Sequence, residues 1–214
     1  MSTITRPIVR SFKIEYAKEA RAWVKAGGHA VVWEKPNRAM LVFPIPKKGD
    51  EEDLGVWSVL DLGKQRWDTP QEGPYAGAAC TLFPPSTLWI AKRRAERDSK
   101  WKGPTRKIKL DCMTCAACCK DNAVGLEKQD IQRFRDGGRM DLAKPPMAKW
   151  REGKFMLTLL PNGSCRHLKR DRTCGIYALR PDACSEFPAG SECCLFAREE
   201  EFKIYDGVPD PDPS

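Results

Sequence analysis

Histidine is scarce in this chain: only His29 and His167 among 214 residues. A nucleophile activated by histidine therefore has little to draw on. Long apolar runs are missing too, and none approaches the roughly 18 residues of a membrane span, which argues against a membrane-embedded protein. The opening Met-Ser-Thr-Ile-Thr-Arg-Pro carries no apolar stretch or cleavage signal, so a cytoplasmic location is expected. Neither the phosphate-cradling G-x-x-x-x-G-K-S/T nor the dinucleotide-binding G-x-G-x-x-G occurs. Residues 59–63 (VLDLG) resemble the first strand and turn of a methyltransferase cofactor site. The glycines that would admit a ligand do not follow, so a plain strand ending in a turn is the better reading.

Cysteine, by contrast, is abundant. Cys80 stands alone, and the other nine of ten fall between positions 112 and 194. In a chain without export signals, such thiols read as metal ligands before disulfides, because a reducing compartment keeps them free. The hydrophobic share of 41% is high enough for a packed core, and the length suits one medium domain or two small ones.

The expected architecture is α+β: a small helix-plus-antiparallel-sheet unit over residues 1–85, then a basic helix and linker over 86–109. A loop-rich, metal-stapled cysteine module with short helices follows over 110–205, and a disordered acidic tail over 206–214. In the first unit, 14–26 reads as a helix stopped by Gly27 and Gly28, and 29–33, 39–45 and 56–62 read as strands. Trp23, Trp33 and Trp57 are expected in its core. Ser86 is the expected N-cap of the basic helix. Further on, 127–135 reads as a helix ended by Gly137 and Gly138, 155–160 as a strand before the turn at 161–163, and 195–202 as a helix.

Between Lys92 and Lys109 stand nine basic residues against Glu96 and Asp98, a local balance of +7 in a chain of net +8. Flanked by Trp89 and Trp101, this stretch is a candidate for nucleic-acid binding, through phosphate neutralisation and base stacking. The bland alternative is a solvated helix. A protein partner or larger assembly is the other expected contact.

The strongest signal is Cys112-Met-Thr-Cys115-Ala-Ala-Cys118-Cys119. Two-residue gaps let successive sulfurs converge on one centre, and small Thr114, Ala116 and Ala117 permit close backbone approach. Cys165, Cys174, Cys184, Cys193 and Cys194 supply a second half. Thiolates suit zinc and iron–sulfur clusters. His167, two residues after Cys165, is a weaker candidate ligand, and His29 reads as ordinary.

This run resembles the YkgJ-type cysteine-cluster family of zinc- or iron-chelating CxxCxxCC domains, over about residues 110–196. The resemblance rests on the opening run, Val124, Leu126 and Asp130, Cys165 with Leu168, and Cys174-Gly-Ile176-Tyr177-Ala-Leu-Arg180-Pro181-Asp-Ala-Cys184. Phe187-Pro188 completes it. Two departures stand out: Ser185 replaces a common arginine, and His167 replaces an apolar or aromatic residue. Every cysteine is kept.

The resemblance implies eight thiolate ligands: Cys112, Cys115, Cys118, Cys119, Cys165, Cys174, Cys184 and either Cys193 or Cys194. Eight could hold two four-coordinate zincs, or one iron–sulfur cluster, 4Fe–4S by preference, with spare cysteines. Flagellin lysine methylases of the broader family also look like iron–sulfur proteins. Three functions follow as expectations. The first is a structural, accessory or interaction module. A nucleic-acid-binding zinc protein and an iron–sulfur redox or methyl-transfer enzyme are the alternatives. For the site itself, Pro181 is expected to fix the turn that presents Cys184, and Tyr177 to pack over the centre. Arg180 would face the thiolates or lie on the surface.

Overall fold

The computed structural model describes residues 2–46, 67–185, 187 and 189–204. The expected strand at 56–62, the 59–63 turn and the tail at 206–214 lie outside them. Strand β1 (Ser2–Pro7) leads through Ile8 into β2 (Val9–Lys13), helix α1 (Ala17–Lys25) and the hairpin of β3 (His29–Lys35) and β4 (Arg38–Phe43). Strand β5 is Ala79–Leu82, and the sheet order is β2-β3-β4-β5.

Alternation along β3 and β4 sorts this sheet into two apolar faces. Ala30, Val32 and Val42 meet Ala17, Ala20 and Val24 of α1. Val31, Leu41 and Phe43 meet Leu88, Ala91 and Ala95 of α2 (Leu88–Asp98). The mixed α+β class is as expected, but the sheet is not purely antiparallel. β2 runs parallel to β3, because α1 carries the chain across and back as a β-α-β crossover. The crossover ends sharply at Gly27, with φ +100°. At Gly28 a Cβ would stand 2.2 Å from the Trp23 ring, whose Nε1 donates to the Ile8 carbonyl.

The stretch at 86–109 does not act as a spacer. A 3-10 turn at Pro85–Thr87 precedes α2, so the N-cap falls on Thr87 rather than Ser86, and α2 packs on the sheet. The following β6 (Thr105–Leu110) pairs antiparallel with β1, from Ser2↔Leu110 to Pro7↔Thr105. Beneath this ribbon Ile108 and Leu110 bury against Leu195.

The cysteine region holds α3 (Cys112–Cys115), α4 (Lys128–Asp136), the β7 (Ala148–Arg151) and β8 (Lys154–Leu157) hairpin, α5 (Asp182–Ser185) and α6 (Glu192–Phe202). Its own core is small: Leu126, Phe134, Leu142, Ala148, Leu157 and Ile176.

His29 is buried with its ring 6.0 Å from Phe43. Burial, then the Arg94 and Arg6 guanidiniums, push its pKa down to about 3. The native imidazole therefore stays neutral, while the unfolded one takes up a proton near pH 6.5. Because the unfolded state binds more protons in this window, stability falls as pH drops below about 6.5 toward 3. We expect His29 to account for a loss of about 2 kcal/mol between pH 7 and pH 5. Urea midpoints at the two pH values should converge in His29→Gln, and an unchanged gap would refute the assignment.

Candidate metal centre

Strand β6 hands the chain directly to the cysteine run. Asp111 caps α3, its carboxylate accepting from the Met113 N–H and the Thr114 hydroxyl, both at 3.1 Å. Ala116 then adopts a left-handed conformation at φ +53°, and a 3-10 turn follows over Ala117–Cys119. Ala116 and Ala117 are buried, so the small spacers do allow the backbone to approach closely.

The second half closes onto the first. The Cys165 N–H donates to the Cys119 carbonyl at 2.8 Å, and Lys120 bridges to Ser164. Leu168 pairs antiparallel with Cys174, and the Gly175 N–H reaches the His167 carbonyl at 2.7 Å. Cys184 follows the Pro181 turn as expected, its N–H donating to the Pro181 carbonyl at 2.9 Å. That turn is held from α4. Buried Asp130 accepts from the Glu127 and Asp182 N–H groups, both at 2.9 Å. Arg133 binds Asp130, the Arg180 carbonyl and the Asp182 carboxylate.

A cavity of about 450 Å³ results, walled by Cys112, Cys118, Cys119, Cys165, Cys174 and Cys184. Tyr177 and Arg180 line it, with the guanidinium 4.2 Å over the Tyr177 ring. Arg180 is therefore neither a bare surface residue nor bonded directly to sulfur. It acts by charge, offsetting the upward push on Cys112, Cys118 and Cys184. His167 also lines the cavity, and its buried Nε2 has no hydrogen-bond partner. Burial and Arg139 lower its pKa, which keeps it neutral.

Burial pushes most of these thiols upward, Cys184 to about 12 with Cys165, Cys118 and Cys174 beside it. Burial likewise takes Cys194 to about 12, against a backbone N–H from Gly190. Cys165 is raised by burial while the His167 and Leu168 N–H groups hold it back. A hydrogen bond between Cys118 and Cys119 raises the first and lowers the second.

This donor set fits a soft metal. It is nearly all sulfur, it is partly desolvated, and Arg180, Arg172 and Arg198 stand by to balance thiolate charge. Arg172 donates to the Cys115 carbonyl at 2.9 Å, and Arg198 to the Cys115 sulfur at 3.3 Å. Among the described residues no three ligating side chains already meet tightly enough to hold a single ion, so the thiols surround a space. Cys80 lies apart, buried in β5.

Asp111, Arg133, Arg172 and Arg198 escaped the sequence reading. Only Asp111, just ahead of a helical turn, carried a local signal.

Much of the basic stretch turns inward. Arg94 and Arg97 are buried against Glu192 of α6, and Arg93 reaches Glu199 at 2.5 Å. Lys92 sits 5.3 Å over Trp33, and Arg106 sits 3.6 Å over Trp101. The phosphate-binding reading is left with exposed lysines such as Lys107 and Lys109 of β6. Among the described residues no helix is long and apolar enough to cross a membrane.

An α/β support carrying a thiol-walled cavity defines a metal-chelating module. Residues 111–207 match the family model CxxCxxCC, described as a putative zinc- or iron-chelating domain, and they carry the domain whose motifs the sequence resembles. The sheet unit lies outside that match. No curated protein and no solved structure matches the chain.

Proposed function

We propose that the cysteine module binds a 4Fe–4S cluster through thiolates drawn from Cys112, Cys115, Cys118, Cys119, Cys165, Cys174, Cys184, Cys193 and Cys194. On this reading the protein serves as a structural, accessory or interaction module in a reducing, cytoplasmic setting. The cavity of about 450 Å³ among six thiols carries the proposal. A lone tetrahedral zinc takes four sulfurs at about 2.3 Å, fewer than the six thiols on this wall. A polynuclear cluster fills a volume and spreads its ligands around it. Saturation by cysteine also leaves no open position for hydrolytic zinc chemistry.

Anaerobic purification followed by iron, zinc and acid-labile sulfide analysis tests the proposal. Iron with matching sulfide and a broad absorption near roughly 400 nm is expected for such a cluster. Colourless protein with zinc and no sulfide would overturn the cluster and leave metal chelation standing.

A further inference from the structure

We infer that His167 is a ligand of the metal centre, coordinating through Nε2 alongside the cysteines. The inference rests on the metal-binding reading above and deepens it, adding one nitrogen to a donor set otherwise made of sulfur.

The backbone fixes this side chain among the thiols. The Leu168 N–H donates to the Cys165 carbonyl at 3.0 Å, closing a tight turn that contains His167. The His167 carbonyl is held in turn by the Gly175 N–H at 2.7 Å, next to the bridge between Leu168 and Cys174. His167 thus stands between two cysteines of the cavity wall and lines that wall itself.

The imidazole is buried there with an open valence. His167 is only 9% exposed, and its Nε2 has no hydrogen-bond partner. A buried polar atom left unpaired is costly, so its position calls for a partner. The charged side chains that act on the ring are already taken. Arg139 and Asp141 are joined to each other by two bonds of 2.9 Å, and Arg166 donates to the Thr158 hydroxyl at 2.8 Å. What remains for Nε2 is the cavity, with six thiols around it.

The chemistry matches. Neutral imidazole suits both iron and zinc, and it completes many cysteine sets. It binds a metal through the nitrogen that carries no proton, so the ring proton sits on Nδ1. A nitrogen in place of one thiolate leaves the centre less negative by one charge. In iron–sulfur clusters histidine ligation raises the reduction potential. The other histidine, His29, is buried in the sheet beside Phe43 and serves as an internal control.

X-ray absorption at the edge of whichever metal the purified full-length protein holds tests the assignment. An imidazole ring adds outer-shell scattering that thiolates lack. The parent is expected to show it, and His29→Gln should match the parent. His167→Phe, which places at this position the aromatic type common in the family the sequence resembles, should lose the ring signal and keep sulfur scattering. If that variant fails to fold or to hold metal, His29→Gln decides alone, because His167 is then the one histidine left. Persistence of the signal supports ligation, and its loss overturns it.

An all-sulfur shell in the parent, or a ring signal that survives in His167→Phe, would overturn the inference and leave metal binding standing. The partner of Nε2 would then be a buried water. A parent that binds no metal would instead refute the metal-binding reading, and this inference with it.

Discussion

Replacing Glu192 with alanine is expected to destabilise the protein by about 3–5 kcal/mol, as removal of one partner from a buried ion pair does. Glu192 is 2% exposed and receives Arg94 at 2.6 Å and Arg97 at 2.9 and 3.0 Å. Without it, Arg94 would lose its nearest carboxylate, with Asp98 standing at 3.7 Å, and Arg97 would retain Glu199. Both guanidiniums would stay buried with much of their charge uncompensated. Burial alone would raise the Glu192 pKa, but Arg94 and Arg97 outweigh it and hold the group below the ordinary carboxylate range.

The carboxylate is thus ionised in the fold, and its contribution is present above about pH 4.5 and lost as pH falls further. Urea denaturation at pH 7 measures the effect. Glu152→Ala, which removes an exposed partner of Arg151, serves as the control and should change stability by less than about 1 kcal/mol. A Glu192→Ala variant as stable as that control would show that the network contributes nothing net. Because Glu192 precedes Cys194 by two residues on α6, the same variant is also expected to retain less metal in the cysteine module.

The parts legible in the sequence were those whose partners lie close along the chain. The strands expected at 29–33 and 39–45 are the β3–β4 hairpin, and Gly27-Gly28 announced the end of α1. Glu127 and Asp130 form the capping box that starts α4, and its apolar Phe134 faces inward. The cysteine spacing was legible for the same reason, since four of the ligand candidates share eight residues. What escaped depends on distant partners. β2 (VRSFK) is mostly polar and becomes a strand because β3 lies parallel beside it.

The charged helix α2 shows the limit most clearly. Read alone, Arg93, Arg94 and Arg97 describe a solvated face or a nucleic-acid surface. Their carboxylates, Glu192 and Glu199, lie about a hundred residues later, and Asp98 turns instead to Arg6. A charge run is solvated only when nothing downstream complements it. Asp130 repeats the lesson, because its bond to the Asp182 N–H is what ties α4 to the turn before Cys184.

Removing the bound metal is expected to dismantle the cysteine module while leaving the sheet unit folded. Segment 159–181 contains no α-helix or strand, only turns, isolated bridges and one 3-10 turn, and so gains little order from backbone pairing. It reaches the cavity with Cys165 and Cys174, beside Ile176 and Tyr177. For such a segment metal binding is folding free energy, about 10–16 kcal/mol for structural zinc in small domains. The sheet, by contrast, buries apolar residues on both faces and needs no metal.

Acid should strip the metal before it unfolds the sheet. Cys184 and Cys194 sit near 12 in the metal-free fold, so each must release a proton to bind at neutral pH. Each thiol that must lose its proton to bind lowers the apparent affinity by up to about tenfold for each unit of pH lost. Anaerobic chelation at pH 7 followed by hydrogen exchange checks the outcome. Protection should vanish over 111–122 and 159–185 and persist in β3, β4 and α2. Equal protection of both regions after chelation would mean that the module folds on its own core, with metal a passenger rather than a staple.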